Sequence, residues 1–434
     1  MALIDATIII ADDLTGANDT ALQYFRNGKS SKIIIELEQD FSSSDDVDVW
    51  AISTESRNID IETAVDRVLR SCEKLKEELG IENFYKKIDS TLRGNVGLEI
   101  IAALEATKKE ASVIAPAYID ENRTTIGGYQ LLGGMVIERT QCALDPKAPI
   151  YESYIPDILK KDLNSSLHDL IATIGLNVVT KGAAPIITKI KELIDKGKKL
   201  IVVDAMSNTD LEQIALAISK SGCDILPCGS AGLANAMNKI SHPDAAKHIE
   251  HTPNLPRLIV SGSATQLTYN QIQKLKEEKP NIFYVDLTTQ NIIEGVEESL
   301  VHTIAQKLLE GHDVVIHSSE INKELTLEEA SNMLIDAGIA KDEFAGKITD
   351  YLSDLTYEIN LLANFILIII GGETSFKCAK KIDSKYLEIL DAIMPAIPLC
   401  MDMHGKIIAT KSGNFGVNST LVDIINYFDR KKSL

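Results

Sequence analysis

At 434 residues the chain exceeds what one hydrophobic core usually organises, so two domains are expected. With 44 Lys+Arg against 63 Asp+Glu the formal net charge is −19, which argues against nucleic acid or an anionic membrane as a partner and makes any local cluster of cations informative. Composition, 45% hydrophobic and 25% charged, is that of a globular protein without repeats, and the six cysteines show neither a CxxC pair nor the His spacing of a zinc site, so they are expected to be reduced structural thiols.

At the amino terminus Asp5 stands where a secretory signal wants a basic residue, which points to a cytoplasmic protein. Short β-branched runs at 7–11, 47–52, 84–88, 112–115, 200–203 and 224–226 then alternate with stretches of helical spacing. That alternation predicts an α/β fold with mostly parallel sheets flanked by helices. In such sheets ligands sit beyond the carboxyl ends of the strands, so the residues after each run are read first.

The first run leads into Asp12-Asp13-Leu14-Thr15-Gly16, the second into Thr54-Glu55-Ser56-Arg57, and the third, holding Lys86 and Lys87, into Asp89-Ser90-Thr91-Leu92-Arg93-Gly94. A carboxylate here suits the proton acceptor for a substrate hydroxyl in phosphoryl transfer; an Asp before Leu-Thr-Gly equally suits the cap of a helix opening near Asn18. Strand alternation predicts that one of Asp12 and Asp13 points into the cleft, and likewise one of Lys86 and Lys87. Arg57, Arg93 and Arg123, in loops beside hydroxyls and glycines, are the cations an acidic chain would concentrate to hold an anionic substrate through the planar guanidinium fork. The turn at 229–232 reads as the opening of a helix.

Residues 241–256 gather three prolines and three histidines without apolar periodicity, which places a boundary between domains at 1–245 and 257–434 with a linker at 246–256. Strands follow at 257–260, 282–285, 314–317 and 365–370, then 398–403 and 406–410 about a His404-Gly405 turn as an antiparallel hairpin. The apolar run at 361–370 is far shorter than the roughly 18 residues of a membrane span. Three turns after strands, Ser261-Gly262-Ser263, Gly371-Gly372-Glu373-Thr374 and Lys411-Ser412-Gly413, combine glycine with hydroxyls ahead of helical stretches, where backbone N–H groups favour anions. None fits GxxxxGK[ST] or GxGxxG, and no GxSxG elbow supports a hydrolase.

Taken together, IIIADDLTGANDT, TESR, KKIDSTLRGN, APAYIDENRTTIGGYQLLGG, GSAGLA, SGSA, GGETS and KSGNFG resemble the four-carbon acid sugar kinase family over nearly the whole chain. The resemblance implies ATP-dependent phosphorylation, with Mg2+, of a small anionic sugar acid such as threonate, erythronate or a 3-oxo-tetronate at its terminal hydroxyl, with the sugar acid on the N-terminal domain and the nucleotide on the C-terminal one. It implies nucleotide contacts at Ser261, Ser263, Gly371, Gly372, Glu373, Thr374 and Gly413. The sugar acid would meet Asp12, Asp13, Arg57, Lys86, Lys87, Asp89, Ser90, Arg93, Gly94 and Arg123. Asp12 or Asp13 would be the base, Arg57 and Arg93 would hold the carboxylate, and a lysine of the 86–87 pair would steady the transferring charge as the two domains close over a cleft. The chain departs from the family at Ala264-Thr265 and at Asp120-Glu121-Asn122-Arg123-Thr124, the second in a loop expected to face substrate. A non-catalytic sensor of sugar acid and nucleotide, or a nucleotide-dependent carboxylate ligase, would use the same residues, and a homo-oligomer stays open.

Overall fold

The computed structural model describes residues 6–39, 41, 47–144, 148–241, 249–318 and 333–432, and the chain divides into two compact units, Met1–Ala246 and Lys247–Leu434. His242, ahead of the expected linker, and His248 within it lie outside the described residues.

In the first unit the strands are β1 (Thr7–Ala11), β2 (Ser31–Ile34), β3 (Val49–Ser53), β4 (Asn83–Lys87), β5 (Ala111–Ala115), β9 (Ile171–Ile174), β10 (Leu200–Val203) and β11 (Ile225–Gly229), all parallel, in the order β2-β3-β1-β4-β11-β5-β10-β9. Ile8, Ile9 and Ile10 are all buried, because a strand covered on both faces has no side to spare for polar residues. A separate antiparallel sheet of β6 (Arg123–Ile126), β7 (Tyr129–Leu132) and β8 (Met135–Val136) turns at Gly127-Gly128, whose N–H groups both donate to Asp204, at 2.7 and 2.9 Å. Of the helices, α1 (Leu14–Phe25) follows β1, α2 (Ile61–Leu79) follows β3, α3 (Val96–Thr107) follows β4 and α4 (Ala231–Ser241) follows β11. The amphipathic α2 buries Ala64, Val68, Cys72 and Leu75 on one stripe and is capped by Asp60, which accepts from Thr63 N at 2.9 Å. The turn at 229–232 does open a helix.

The second unit pairs β12 (Arg257–Ser261), β13 (Phe283–Asp286), β14 (Val314–His317) and β15 (Ile366–Ile370) in parallel. The antiparallel strands β16 (Tyr386–Met394), β17 (Ile397–Asp402) and β18 (Ile407–Lys411) complete the order β13-β14-β12-β15-β18-β17-β16. Helices α5 (Gln266–Glu278) and α6 (Gly372–Lys381) follow β12 and β15, and α7 (Thr420–Lys431) closes the unit. Its core packs Ile259, Ile368 and Ile370 against Leu399, Ala409 and the α7 residues Ile424 and Phe428.

The expected hairpin at 398–410 is present, extended by a third strand, β16, that the sequence hides. Asp391 breaks its apolar alternation, yet is buried and bonded by Tyr427 Oη and Lys431 Nζ, each at 2.5 Å. No helix among the described residues is long and apolar enough to cross a membrane.

Candidate functional site

Strand order reverses between β1 and β4 in the first unit and between β12 and β15 in the second, so the loops after those strands flank the positions where open sheets take ligands. Register makes the strand ends level. Ser53, Ala11, Lys87, Gly229 and Ala115 pair in sequence across one sheet, and His317, Ser261, Ile370 and Lys411 across the other.

At the first edge Arg57 gathers both aspartates. Its Nε donates to Asp12 Oδ2 at 2.7 Å and its terminal nitrogen lies 2.7 Å from Asp13 Oδ2. The expected divergence of the two carboxylates fails because β1 ends at Ala11: Asp13 is already the cap of α1, accepting from Gly16 N at 2.7 Å, and the helix opens at Leu14 rather than near Asn18. Asp12 Oδ1, in contrast, is buried and has no hydrogen-bond partner among the described residues. Burial alone would raise the Asp12 pKa, but Arg57, Lys87 and Lys86 together hold it below the usual carboxylate value.

The lysine pair separates as alternation requires. Lys87 stands on the α1 side, donating to the Ile88 carbonyl at 2.8 Å, so close to the α1 opening that a Cβ on Gly16 would lie 2.9 Å from its ammonium. Lys86 turns to the α3 side and pairs with Glu99 at 2.9 Å, both fully buried, and Glu99 keeps it charged against the burial. Asp89 is held by Arg93 Nε at 2.6 Å and by Thr91 Oγ1 at 2.5 Å, and Arg93 and Arg57 outweigh its burial to depress its pKa strongly. Gly94, with φ +93, lies against Arg57, where a side chain would meet the arginine backbone at 3.2 Å. Ser90 contributes its carbonyl to Gln130 Nε2 at 2.7 Å, and Arg123 binds Glu121 at 3.2 Å while its own Nε has no partner among the described residues. The Arg123 hydrogen bonds run to the Glu121 carbonyl and carboxylate, not to the Arg57 cluster.

Two further acids stand at this edge without having been singled out. Glu55 has φ +46, a left-handed backbone unusual for a residue with a Cβ, and its Oε1 accepts from Ser53 Oγ at 2.6 Å and from Leu14 N, the first turn of α1, at 3.0 Å. Burial and the neighbouring Asp13 raise its pKa to about 7. Asp19, bonded by Gln23 Nε2 at 3.1 Å and Tyr118 Oη at 3.3 Å, is raised by burial to about 6. Both stood in segments read from the sequence, but nothing in a linear string separates a carboxyl that burial makes basic from one in water.

At the second edge the three glycine turns interlock. Ser263 Oγ lies 3.0 Å from Thr268 Oγ1 on α5, and Thr265 and Thr268 Oγ1 donate to the Gly413 carbonyl at 3.0 and 2.9 Å. Gly371 N donates to the Lys411 carbonyl at 2.8 Å, and Gly371, at φ +113, leads into α6 with no side-chain cap. A Cβ would lie 2.2 Å from Ser263 Oγ at Gly413 and 2.3 Å from Thr374 Oγ1 at Gly262. Ser261, Ser263, Gly371, Gly372, Thr374 and Gly413 are thus brought together at the opening of α6, which has no side-chain cap, so that its first backbone N–H groups suit an anion. Glu373 instead faces Thr349 Oγ1 at 3.2 Å and Lys377 at 3.5 Å. Gly413→Ala is expected to force the loops apart, destabilising the unit by about 1–3 kcal/mol and weakening nucleotide binding; a melting temperature and ADP affinity equal to wild type would show that the loops yield freely.

The family descriptions "sugar-binding N-terminal domain" and "nucleotide-binding C-terminal domain" match residues 7–237 and 258–421. The chain is 28% identical to the D-threonate kinase of Salmonella typhimurium, over 97% of this chain and 98% of that one. It is 27% identical to the D-erythronate kinase of Heliobacterium modesticaldum, over 98% of each. To the 3-oxo-tetronate kinase of Haemophilus influenzae it is again 27% identical, over 94% of this chain and 96% of that one. Its fold is that of a Haemophilus influenzae protein of the DUF1537 family, with a TM-score of 0.74 at 24% identity, covering 97% of this chain and 100% of the other.

Proposed function

Because the chain belongs to the four-carbon acid sugar kinase family, we propose that it transfers the γ-phosphoryl group of ATP to a hydroxyl, the terminal one, of a sugar acid such as threonate, erythronate or 3-oxo-tetronate. The observation that carries this reading is Asp12: fixed by Arg57 through one oxygen, it keeps the other unengaged at the switch point of the unit matched by the sugar-binding description. As the acceptor hydroxyl forms its bond to phosphorus and the bond to ADP breaks, that oxygen takes the hydroxyl proton. A weakly basic carboxylate is enough, since most of the charge in a loose transition state sits on phosphate oxygens.

Asp13 serves as the cap that fixes α1. Arg57 and Arg93 orient the acid's carboxylate, and Lys87, rather than Lys86, steadies the transferring charge. Asp89, Ser90, Gly94 and Arg123 shape the surrounding loops. The nucleotide phosphates would sit on Ser261, Ser263, Gly371, Gly372, Thr374 and Gly413 and on the backbone N–H of Glu373, whose carboxylate is turned to Thr349 and Lys377.

Among the described residues no group of three His, Cys, Asp or Glu side chains could hold a metal ion. The residues therefore do not form a cage, and a Mg2+ would come bound to the nucleotide's own phosphates, as this ion commonly does.

The reading is tested by incubating the protein with Mg-ATP and a panel of threonate, erythronate and 3-oxo-tetronate epimers and following ADP. Saturable ADP release with one acid is expected; binding of nucleotide and acid without turnover would overturn the kinase reading in favour of a sensor.

A further inference from the structure

Lys411 ends β18 level with Ile370 and Ser261, where the third of the interlocked turns begins, and the residue is only 2% exposed. Its ammonium donates to the Ser412 carbonyl at 2.7 Å and forms no ion pair among the described residues. Among the described residues the surrounding elements supply no counter-charge. β15 has no ionisable side chain. β17 brings buried Cys400 and Asp402, whose carboxylate is occupied at the opposite end of β18 by Ser384 Oγ at 2.7 Å and by the N–H groups of His404 and Lys406, at 2.9 and 2.8 Å. α6 brings Cys378, Lys377, Lys380, Lys381 and Glu373, the last directed to Thr349 and Lys377.

A buried amine without a carboxylate, beside helix openings that are themselves positive, is a poor place for a cation. Burial accordingly lowers the Lys411 pKa to about 7. An anion held on the same turns reverses that balance, because it is the counter-charge that the fold leaves out.

We propose that the nucleotide's phosphate is the missing counter-ion of Lys411, so that binding a nucleotide and protonating this lysine are a single event. The inference rests on the nucleotide reading above and adds to it a residue and a coupling. Because the bound state then carries one proton more, affinity must fall with rising pH once free Lys411 is neutral.

The test is calorimetry of MgADP binding at pH 8 in two buffers of different ionisation enthalpy, where the nucleotide's own phosphates, with a second pKa near 6, are already deprotonated. Wild type is expected to take up about one proton per nucleotide, and to bind about tenfold more weakly at pH 9 than at pH 8. Lys411→Arg, charged in both states, should bind without uptake, and Lys411→Met should bind weakly without uptake. Binding by wild type with no proton uptake overturns the inference while leaving the nucleotide site standing, as does uptake that persists in both variants. Absence of ADP binding by wild type overturns the nucleotide reading itself. Should both variants fail to fold, a wild-type affinity independent of pH between 8 and 9 overturns the coupling.

Discussion

Asp12→Asn is expected to lower kcat by about two to four orders of magnitude with ADP affinity unchanged. The amide preserves size and, turning its oxygen toward Arg57 Nε, preserves the 2.7 Å contact. It then presents an NH2 donor at the position of the unpartnered Oδ1, so the hydroxyl proton has no acceptor and meets a competing donor. Asp13→Asn should behave differently. Both Asp13 oxygens are already engaged, one by Gly16 N and one by Arg57, so the expected loss is mainly the cap, about 1 kcal/mol of stability, with a far smaller change in turnover. Steady-state kinetics of the two variants side by side decide the matter. Near-normal turnover in Asp12→Asn would remove it as the base, and a collapse in Asp13→Asn alone would exchange the two roles.

The second large effect falls on stability. Arg57, its side chain 12% exposed, lies between Asp12 and Asp13, and Arg57→Met leaves two carboxylates beside one another without their counter-ion, at a cost of about 3–5 kcal/mol. The pH dependence has a definite sign. In the wild type the Asp12 pKa is depressed, so its contribution is present above the unfolded value and is lost as pH falls through the folded one. In the variant burial is no longer opposed by Arg57, the folded pKa rises, and the penalty is greatest at neutral pH. The stability gap between wild type and variant, read from urea midpoints, should therefore narrow from pH 7.5 to pH 5. A constant gap would mean that Arg57 stabilises through packing of its stem and not through charge. Activity should be lost at both values, since this is the guanidinium proposed to orient the acid.

Much of the fold was legible because parallel strands buried on both faces announce themselves: 7–11, 200–203 and 314–317 coincide with β1, β10 and β14. Strands whose signal is local and short, such as β2, or interrupted by a buried acid, such as β16, were not, since what stabilises them lies far away in sequence. At the site, the turns after strands were visible as residue types, but their partners were not. Only the folded chain shows that Asp12 and Asp13 share one arginine 45 and 44 positions away, or that Lys86 is drawn off by Glu99 on α3 while Lys87 is not. Glu55, Asp19 and Lys411 were hidden for another reason, because their chemistry comes from desolvation, which no residue letter records.

The left-handed backbone at Glu55 separates two demands that usually coincide in a protein loop. Glycine would adopt that conformation without the steric penalty of about 1 kcal/mol that a Cβ incurs, so a sequence chosen for durability alone would place glycine there. A carboxyl stands there instead, holding the first turn of α1 beside Asp13. In any attempt to harden this enzyme by redesign, position 55 is therefore where the backbone would recommend a residue that the helix opening beside Asp13 cannot spare.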